Sequence, residues 1–262
     1  MTQPTLSGKT ALVCGASAGI GRATAIALAK QGASIVLLAR RRDRLEALVQ
    51  SSDLANAPST AIIVADLDTR EGLDAQIEQT LDALGPIHIL INNSGGPPAG
   101  PLLDATEEAF VTAFSRHVLA SHRLVQMLLP GMSDAGYGRI INIVSTSVRE
   151  PIPNLGVSNT IRGAVASWAK SMSRELPPGV TINNLLPGFT DTQRLDALRS
   201  AVAKRTGKST DEVRKGWLDQ VPEGRLIRPE EIASTIAFLA SPDAGAIRGV
   251  SLAVDGGRLR SI

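Results

Sequence analysis

Two hydrophobic periods alternate along this chain. Short runs of consecutive apolar residues are separated by stretches in which apolar residues return every three or four positions, the spacings of buried strands and of amphipathic helices. The runs Thr10–Cys14, Ser34–Ala39, Ala61–Ala65, Ile87–Ile91, Arg139–Val144, Val180–Leu186 and Val250–Val254 predict seven strands. Between them, Arg22–Lys30 is Ala-rich and stops at Gly32. Leu45, Leu48 and Val49 mark a helix face behind Asp43. Leu73, Ile77, Leu81 and Leu84 form a stripe closed by Gly85, with Thr69 as the expected N-cap. A long helix is expected from near Thr106 to Leu129, with Phe110, Phe114, Leu124 and Leu128 inward. Val157, Ile161, Val165, Trp168 and Met172 mark another, ended by Pro177-Pro178-Gly179, and a last helix opens at Pro229. Strands alternating with helices predict an α/β fold: a doubly wound, seven-stranded parallel sheet covered on both faces.

One interval, Thr190 to Val221, breaks the alternation. It reads as two short helices, Asp191–Arg205 and a second capped by Ser209 with Glu212 three residues on, a capping box. An insert at the carboxyl end of a strand stands above the crevice where such sheets bind ligands, so 190–221 is expected to be a helical lid. Its Arg194, Arg199, Lys204 and Arg205 read either as the wet face of a helix or as a preference for an acidic substrate. No repeat and no Pro-, Gly- or Ser-rich linker divides the chain, and residues 1–262 are read as one domain.

Composition narrows the classes. The net charge of +2 gives no reason to invoke nucleic acid or a membrane surface. Cys14 is the only cysteine, which excludes an intrachain disulfide and argues against a Cys-based metal site; no metal-ligand spacing appears. No apolar run reaches the ~18 residues of a membrane span, and Met1–Lys9 is polar. The expectation is a cytoplasmic protein.

The chemistry starts at Gly15-Ala16-Ser17-Ala18-Gly19-Ile20-Gly21, between the first strand and the first helix. Strand, glycine turn and helix is the context in which unpaired helix N–H groups receive a pyrophosphate. A side chain at Gly15 or Gly19 is expected to push the phosphates away. The second strand ends at Ala39 without a carboxylate for a ribose 2′-hydroxyl, and Arg40-Arg41-Arg42 follows. Guanidiniums there suit a 2′-phosphate, hence NADP(H), with Arg40 foremost and Arg41 beside it.

Cys14 to Gly21 resembles the T-G-A-S-x-G-I-G signature of the short-chain dehydrogenase/reductase family, and of its 3-oxoacyl-acyl-carrier-protein-reductase-like members, with Cys where the family has Thr. Further matches are Asp66-Leu67, Asn92-Asn93-Ser94-Gly95 (similar to N-N-A-G), Pro187-Gly188-Phe189-Thr190-Asp191-Thr192 (similar to P-G-x-x-x-T) and Asp255-Gly256-Gly257. The resemblance covers nearly the whole chain. It implies cofactor contacts from Gly15, Ser17, Ala18, Gly19, Ile20, Gly21, Asp66, Leu67, Asn92, Ser94, Gly95, Pro187, Gly188, Thr190 and Thr192. It also implies a Rossmann-type fold, hydride transfer with a small carbonyl or alcohol substrate, and a homodimer or homotetramer packed through helices near 106–129 and 157–176 and the last strand.

In that family a Tyr moves the proton, a Lys four residues later lowers its pKa, a Ser steadies the oxygen, and an Asn holds a relay water. Here Ser145 matches the Ser. The Tyr position reads Ser158, the Lys position Arg162, and the Asn position His117. The only tyrosine, Tyr137, is expected ~25 Å from Ser145, at the far end of the fifth strand. A serine is a poorer acid than a phenol, and Arg stays protonated, so Arg162 suits a negative charge or the cofactor ribose. His117 titrates near neutrality and could donate directly or through water. The candidate catalytic set is Ser145, Ser158, Arg162 and His117, with no metal. Two readings follow: an NADP(H)-dependent oxidoreductase with an atypical site, or a catalytically silent NADP(H)-binding sensor or scaffold subunit.

Overall fold

Both faces of each central strand are covered, which is why the apolar runs are unbroken. In β1 (Thr10–Cys14), Ala11 and Val13 enter one core while Leu12 and Cys14 enter the other. In β2 (Ser34–Ala39), Ile35 and Leu37 face the first core, Val36 and Leu38 the second. The computed structural model describes residues 5–261. Its other strands are β3 (Thr60–Val64), β4 (Ile89–Asn92), β5 (Gly138–Ile143), β6 (Val180–Pro187) and β7 (Ser251–Val254). They form one parallel sheet in the order β3-β2-β1-β4-β5-β6-β7, with Leu12 opposite both Val36 and Leu90. This is the single Rossmann-like α/β domain that the hydrophobic pattern predicts.

The helices are α1 (Gly19–Lys30), α2 (Arg42–Val49), α3 (Leu73–Leu84), α4 (Glu107–Phe114), α5 (Ala120–Asp134), α6 (Gly156–Glu175), α7 (Gln193–Thr206), α8 (Thr210–Leu218) and α9 (Pro229–Ala240). Leu28 of α1, Leu45 of α2 and Ile232, Ile236 and Leu239 of α9 fill the first core. Leu73 and Ile77 of α3, Leu124 and Leu128 of α5 and Ala169 of α6 fill the second. Between β1 and β4 the strand order reverses, and the crevice at the carboxyl ends opens there.

Several local expectations are corrected. Thr69 does not cap α3; the N-cap is Gly72, at φ +65°. Asp66 turns the chain by accepting from Asp68 N at 3.0 Å and Arg70 N at 2.8 Å. Arg70 sits at φ +57° and reaches Ser115 Oγ at 2.9 Å, so the helix begins only beyond that tie. The long helix is three pieces. Thr106 caps α4, its Oγ accepting from Ala109 N at 3.2 Å, and a π-helical segment, Ser115–Leu119, joins α4 to α5. Phe114, expected inward, is 40% exposed, because the π segment rotates its face away from the core periodicity. The fourth strand runs Ile89–Asn92 rather than from Ile87, and the first helix begins at Gly19.

The segment after β6 holds α7 and α8 as expected, with α7 starting two residues later because Thr192 caps it, accepting from Leu195 N at 3.3 Å. The Ser209–Glu212 capping box of α8 is present. The base of this excursion is clamped where Asp191 N donates to Ile227 O at 2.8 Å and Ile227 N to Phe189 O at 2.9 Å.

Candidate active site

A cavity of about 680 Å³ lies across the carboxyl ends of the strands, under α7 and Trp217 of α8. Its floor is the glycine loop. Gly19 sits at φ +53°, where a side chain is strained. A Cβ on Gly15 would stand 2.7 Å from Asn93 Nδ2, and one on Gly21 2.3 Å from Gly15 O. The loop therefore closes on itself and on Asn93, leaving its helix-facing N–H groups to the cavity. A φ of +63° and the close approach of Asn93 give Gly15 further reasons to be glycine, besides the phosphate approach expected. Gly21 lies beneath the loop rather than on the cavity wall.

At one end, Arg41 Nη2 donates to Ser17 Oγ at 3.0 Å, and Arg40 stands 3.6 Å from the Asp66 carboxylate. Arg42 turns away to Glu46 at 3.5 Å. Ser17, Ala18, Ile20, Leu67, Ser94, Gly95, Pro187, Gly188, Thr190 and Thr192 all reach the wall. A glycine cradle beside a helix N-terminus, with two guanidiniums where a 2′-phosphate would lie, fits NADP(H).

Asn92 takes a different place. It is buried in an amide ladder crossing the sheet, Asn92 Nδ2 donating to Asn142 Oδ1 at 2.8 Å and Asn142 Nδ2 to Asn184 Oδ1 at 2.9 Å. Asn93 takes the position beside the glycine loop, donating to Cys14 O at 3.2 Å. The alternation of side chains along a strand could have separated the two.

Toward the other end, Ser145, Ser158 and Arg162 come together on the wall. Ser145 caps a short 3-10 turn, its Oγ accepting from Ser147 N at 3.1 Å, which leaves its proton free to donate. One turn apart on α6, Arg162 Nε donates to Ser158 Oγ at 3.2 Å. Arg162 Nη1 donates to Val144 O at 2.6 Å and Ile143 O at 3.1 Å, locking the guanidinium to the end of β5. Burial, and the charge of Arg194, bring Arg162 down to about 10.

His117 lies in the π segment behind this group, buried and off the main wall. Its Nδ1 pairs with Ser94 Oγ at 2.9 Å, and its Nε2 has no partner among the described residues. Burial first, then the charges of Arg162 and Arg116, push its imidazole down to about 3. It is neutral at working pH, which corrects the expectation of titration near neutrality. A second cavity of about 20 Å³ separates His117 from Arg162, Asn142 and Asn92. Tyr137 is off the cavity wall, as expected: it precedes β5, and its hydroxyl donates to Ala240 O.

Residues that the sequence reading missed include Arg116, ion-paired with Asp68 and donating to Gly95 O at 3.0 Å. Phe189 and Trp217 stack with centroids 5.1 Å apart above the cavity. These pairs join distant segments, and no local pattern announces them. Among the described residues no cluster of His, Cys, Asp and Glu could hold a metal ion, and no helix is long and apolar enough to cross a membrane. Cys14 is buried and pushed up to about 12 by desolvation, so it is inert.

The comparisons agree with this geometry. Residues 15–258 match a family model described as Enoyl-(Acyl carrier protein) reductase. The 3-oxoacyl-acyl-carrier-protein reductase FabG of Vibrio cholerae is 37% identical over 255 residues, 96% of this chain and 98% of that protein. The NADPH-dependent reductase BacG of Bacillus subtilis is 33% identical over 263 residues, 98% of this chain and all of that one. The L-sorbose reductase of Gluconobacter frateurii, solved with NADPH and L-sorbose, superimposes with a TM-score of 0.92 at 30% identity, covering 100% of both chains. A family match over residues 15–258 and likeness to these oxidoreductases over nearly the whole length of each chain leave one assignment: the chain belongs to the short-chain dehydrogenase/reductase family.

Proposed function

We propose that this protein is an NADPH-dependent reductase of a small carbonyl compound, working through Ser145, Ser158 and Arg162 in place of a Tyr–Lys pair. The observation that carries the reading is the hydrogen bond from Arg162 Nε to Ser158 Oγ, on the wall shared with the glycine loop. Bound NADPH would supply the hydride. Gly15 to Gly21 would receive its diphosphate, Arg40 and Arg41 its 2′-phosphate, and Pro187 to Thr192 its nicotinamide end. The substrate oxygen takes hydrogen bonds from the Ser145 and Ser158 hydroxyls. Arg162 polarises Ser158 as a lysine would polarise a tyrosine, and its fixed charge stabilises the negative charge that grows on the substrate oxygen. Neither serine titrates near neutrality, so the proton comes from water. The 20 Å³ cavity admits one water, which would bond His117 Nε2 and stand beside Arg162. α7 and α8 act as the lid that excludes bulk solvent.

The test is NADPH oxidation on a panel of aldehydes, ketones and 3-oxoacyl esters. Turnover, lost ~100-fold or more in Ser145→Ala and Ser158→Ala with nucleotide affinity unchanged, supports the reading. A silent NADPH-binding subunit is the second reading. It is favoured by the absence of Tyr, Lys and His side chains from the cavity wall. Tight NADPH binding with no oxidation across the panel would select it.

A further inference from the structure

We propose that Arg162 and Arg194 together hold a carboxylate of the substrate, which makes acidic oxo compounds the class this cavity takes. The inference rests on the reductase reading above and narrows it.

The two guanidiniums converge on one spot. A Cβ placed on Gly96 would lie 3.4 Å from Arg162 Nη2 and 3.6 Å from Arg194 Nη2, so the two nitrogens are within about 7 Å of each other. Charge-assisted hydrogen bonds of ~2.8 Å to each nitrogen let a single carboxylate bridge that gap. Neither arginine has a carboxylate partner among the described residues. Arg162 commits Nε and Nη1 to Ser158 and to β5 carbonyls, and its Nη2 is left for the cavity. Arg194 Nη2 donates one hydrogen to Pro97 O at 2.7 Å and keeps a second. Of the other cations on this wall, Arg116 is taken by Asp68, and Arg258 Nη1 donates to Thr146 Oγ1 at 2.9 Å. The wall's one carboxylate, Asp66, stands 3.6 Å from Arg40 at the opposite end.

Arg162 is half-buried and Arg194 stands exposed beside it at the cavity wall, and two cations facing each other without an anion repel. Burial and mutual repulsion lower the proton affinity of Arg162, and burial and the Arg116 charge that of Arg194. A bound carboxylate offsets that repulsion. Beyond the pair, the stacked Phe189 and Trp217 and the nearby Leu198 offer an apolar wall. The ligand this describes has a carboxylate at one end and an apolar body at the other.

A second source of the same charge is the cofactor diphosphate, because Thr192, the N-cap of α7, lies next to the glycine loop: a Cβ on Gly19 would stand 3.2 Å from its Cγ2. The reacting end is favoured because Arg162 is bonded to Ser158, whereas the loop supplies its own N–H donors.

The experiment compares matched acids and esters: acetoacetate with ethyl acetoacetate, and benzoylformate with methyl benzoylformate, on wild type, Arg194→Gln and Arg194→Lys. NADPH affinity is titrated in parallel. Phenylacetate and phenylacetamide, which cannot be reduced, are titrated calorimetrically into the NADPH complex. The expected result is an acid preference of at least 10-fold in kcat/KM, lost through KM in Arg194→Gln and partly kept in Arg194→Lys. Ester kinetics and NADPH affinity stay within about 2-fold. Phenylacetate should bind and phenylacetamide should not. Equal use of acid and ester by the wild type overturns the proposal. So does a loss of NADPH affinity in Arg194→Gln with the acid-to-ester ratio unchanged, which assigns the pair to the diphosphate. If nothing is reduced but phenylacetate binds and Arg194→Gln abolishes that binding, the carboxylate site stands and the reductase reading falls. If phenylacetate does not bind and nothing is reduced, both fall.

Discussion

His117 shows how far burial moves a single residue's chemistry. An exposed imidazole titrates at ~6.5, but this one is held at about 3. Between those values the unfolded chain binds a proton that the folded chain refuses. Stability therefore falls as pH drops through that window, by up to ~1.4 kcal/mol per pH unit for one such group. His88 is also lowered by burial and by Lys9, with the same sign. Urea denaturation between pH 7 and pH 4 should show this slope, and His117→Asn should reduce it. An unchanged slope in that variant would place the titrating groups elsewhere. The same scale governs nucleotide choice. Arg41 is steadied by Ser17, whereas Arg40 is exposed and shared with Asp66. A charge-assisted hydrogen bond contributes ~1.5–3 kcal/mol, so Arg41→Ala should weaken NADPH binding about 10- to 100-fold and leave NADH binding unchanged. Equal losses for both nucleotides would remove Arg41 from the 2′-phosphate site.

At the scale of elements, the sheet and the helices are tied by polar side chains as well as by apolar faces. The Asn92–Asn142–Asn184 ladder continues to Ser251 Oγ, 3.2 Å from Asn184 Nδ2, and so crosses four strands. Asn142→Leu would leave a buried donor on Asn92 and a buried acceptor on Asn184, each costing ~1–3 kcal/mol. The expected outcome is a denaturation midpoint lowered by the sum of those penalties with an unchanged m-value; a shift below ~1 kcal/mol would mean that the ladder is dispensable. The π segment belongs to this scale too. It interrupts the long helix where His117 must turn toward Ser94, and a regular helix would send that side chain elsewhere.

For the whole molecule, large apolar side chains remain in water on two sides. Leu103 is 99% exposed and Val111 68%, beside Phe114 on α4. On the far edge Phe238 of α9 and Leu252 of β7 are 49% and 39% exposed. Surfaces of this kind often lie at contacts between chains, and a homodimer or homotetramer packed through helices near 106–129 and 157–176 and the last strand, as the family resemblance implies, would cover α4 and β7. Light scattering should report it, and Val111→Glu should lower the mass by at least one step of assembly. A monomer in the wild type would overturn this.

The amino-acid sequence by itself determined the sheet, most helices, the glycine loop, the place of Arg40 and Arg41 at the end of β2 and the Ser145, Ser158 and Arg162 positions. Each is written in local order: apolar runs long enough to be covered on both faces, stripes at helical spacing, and motifs at strand ends. Tertiary structure alone decided the rest. Thr69 lost its capping role because Arg70 is held across the fold by Ser115. Asn92 turned into the sheet while Asn93 met the glycine loop, a choice made by neighbouring strands. His117 lost its titration near neutrality because desolvation depends on what packs around a group, and that packing comes from segments far apart in the chain. Arg162 and Arg194 lie 32 residues apart, and only folding brings their charges to the same spot beside Gly96.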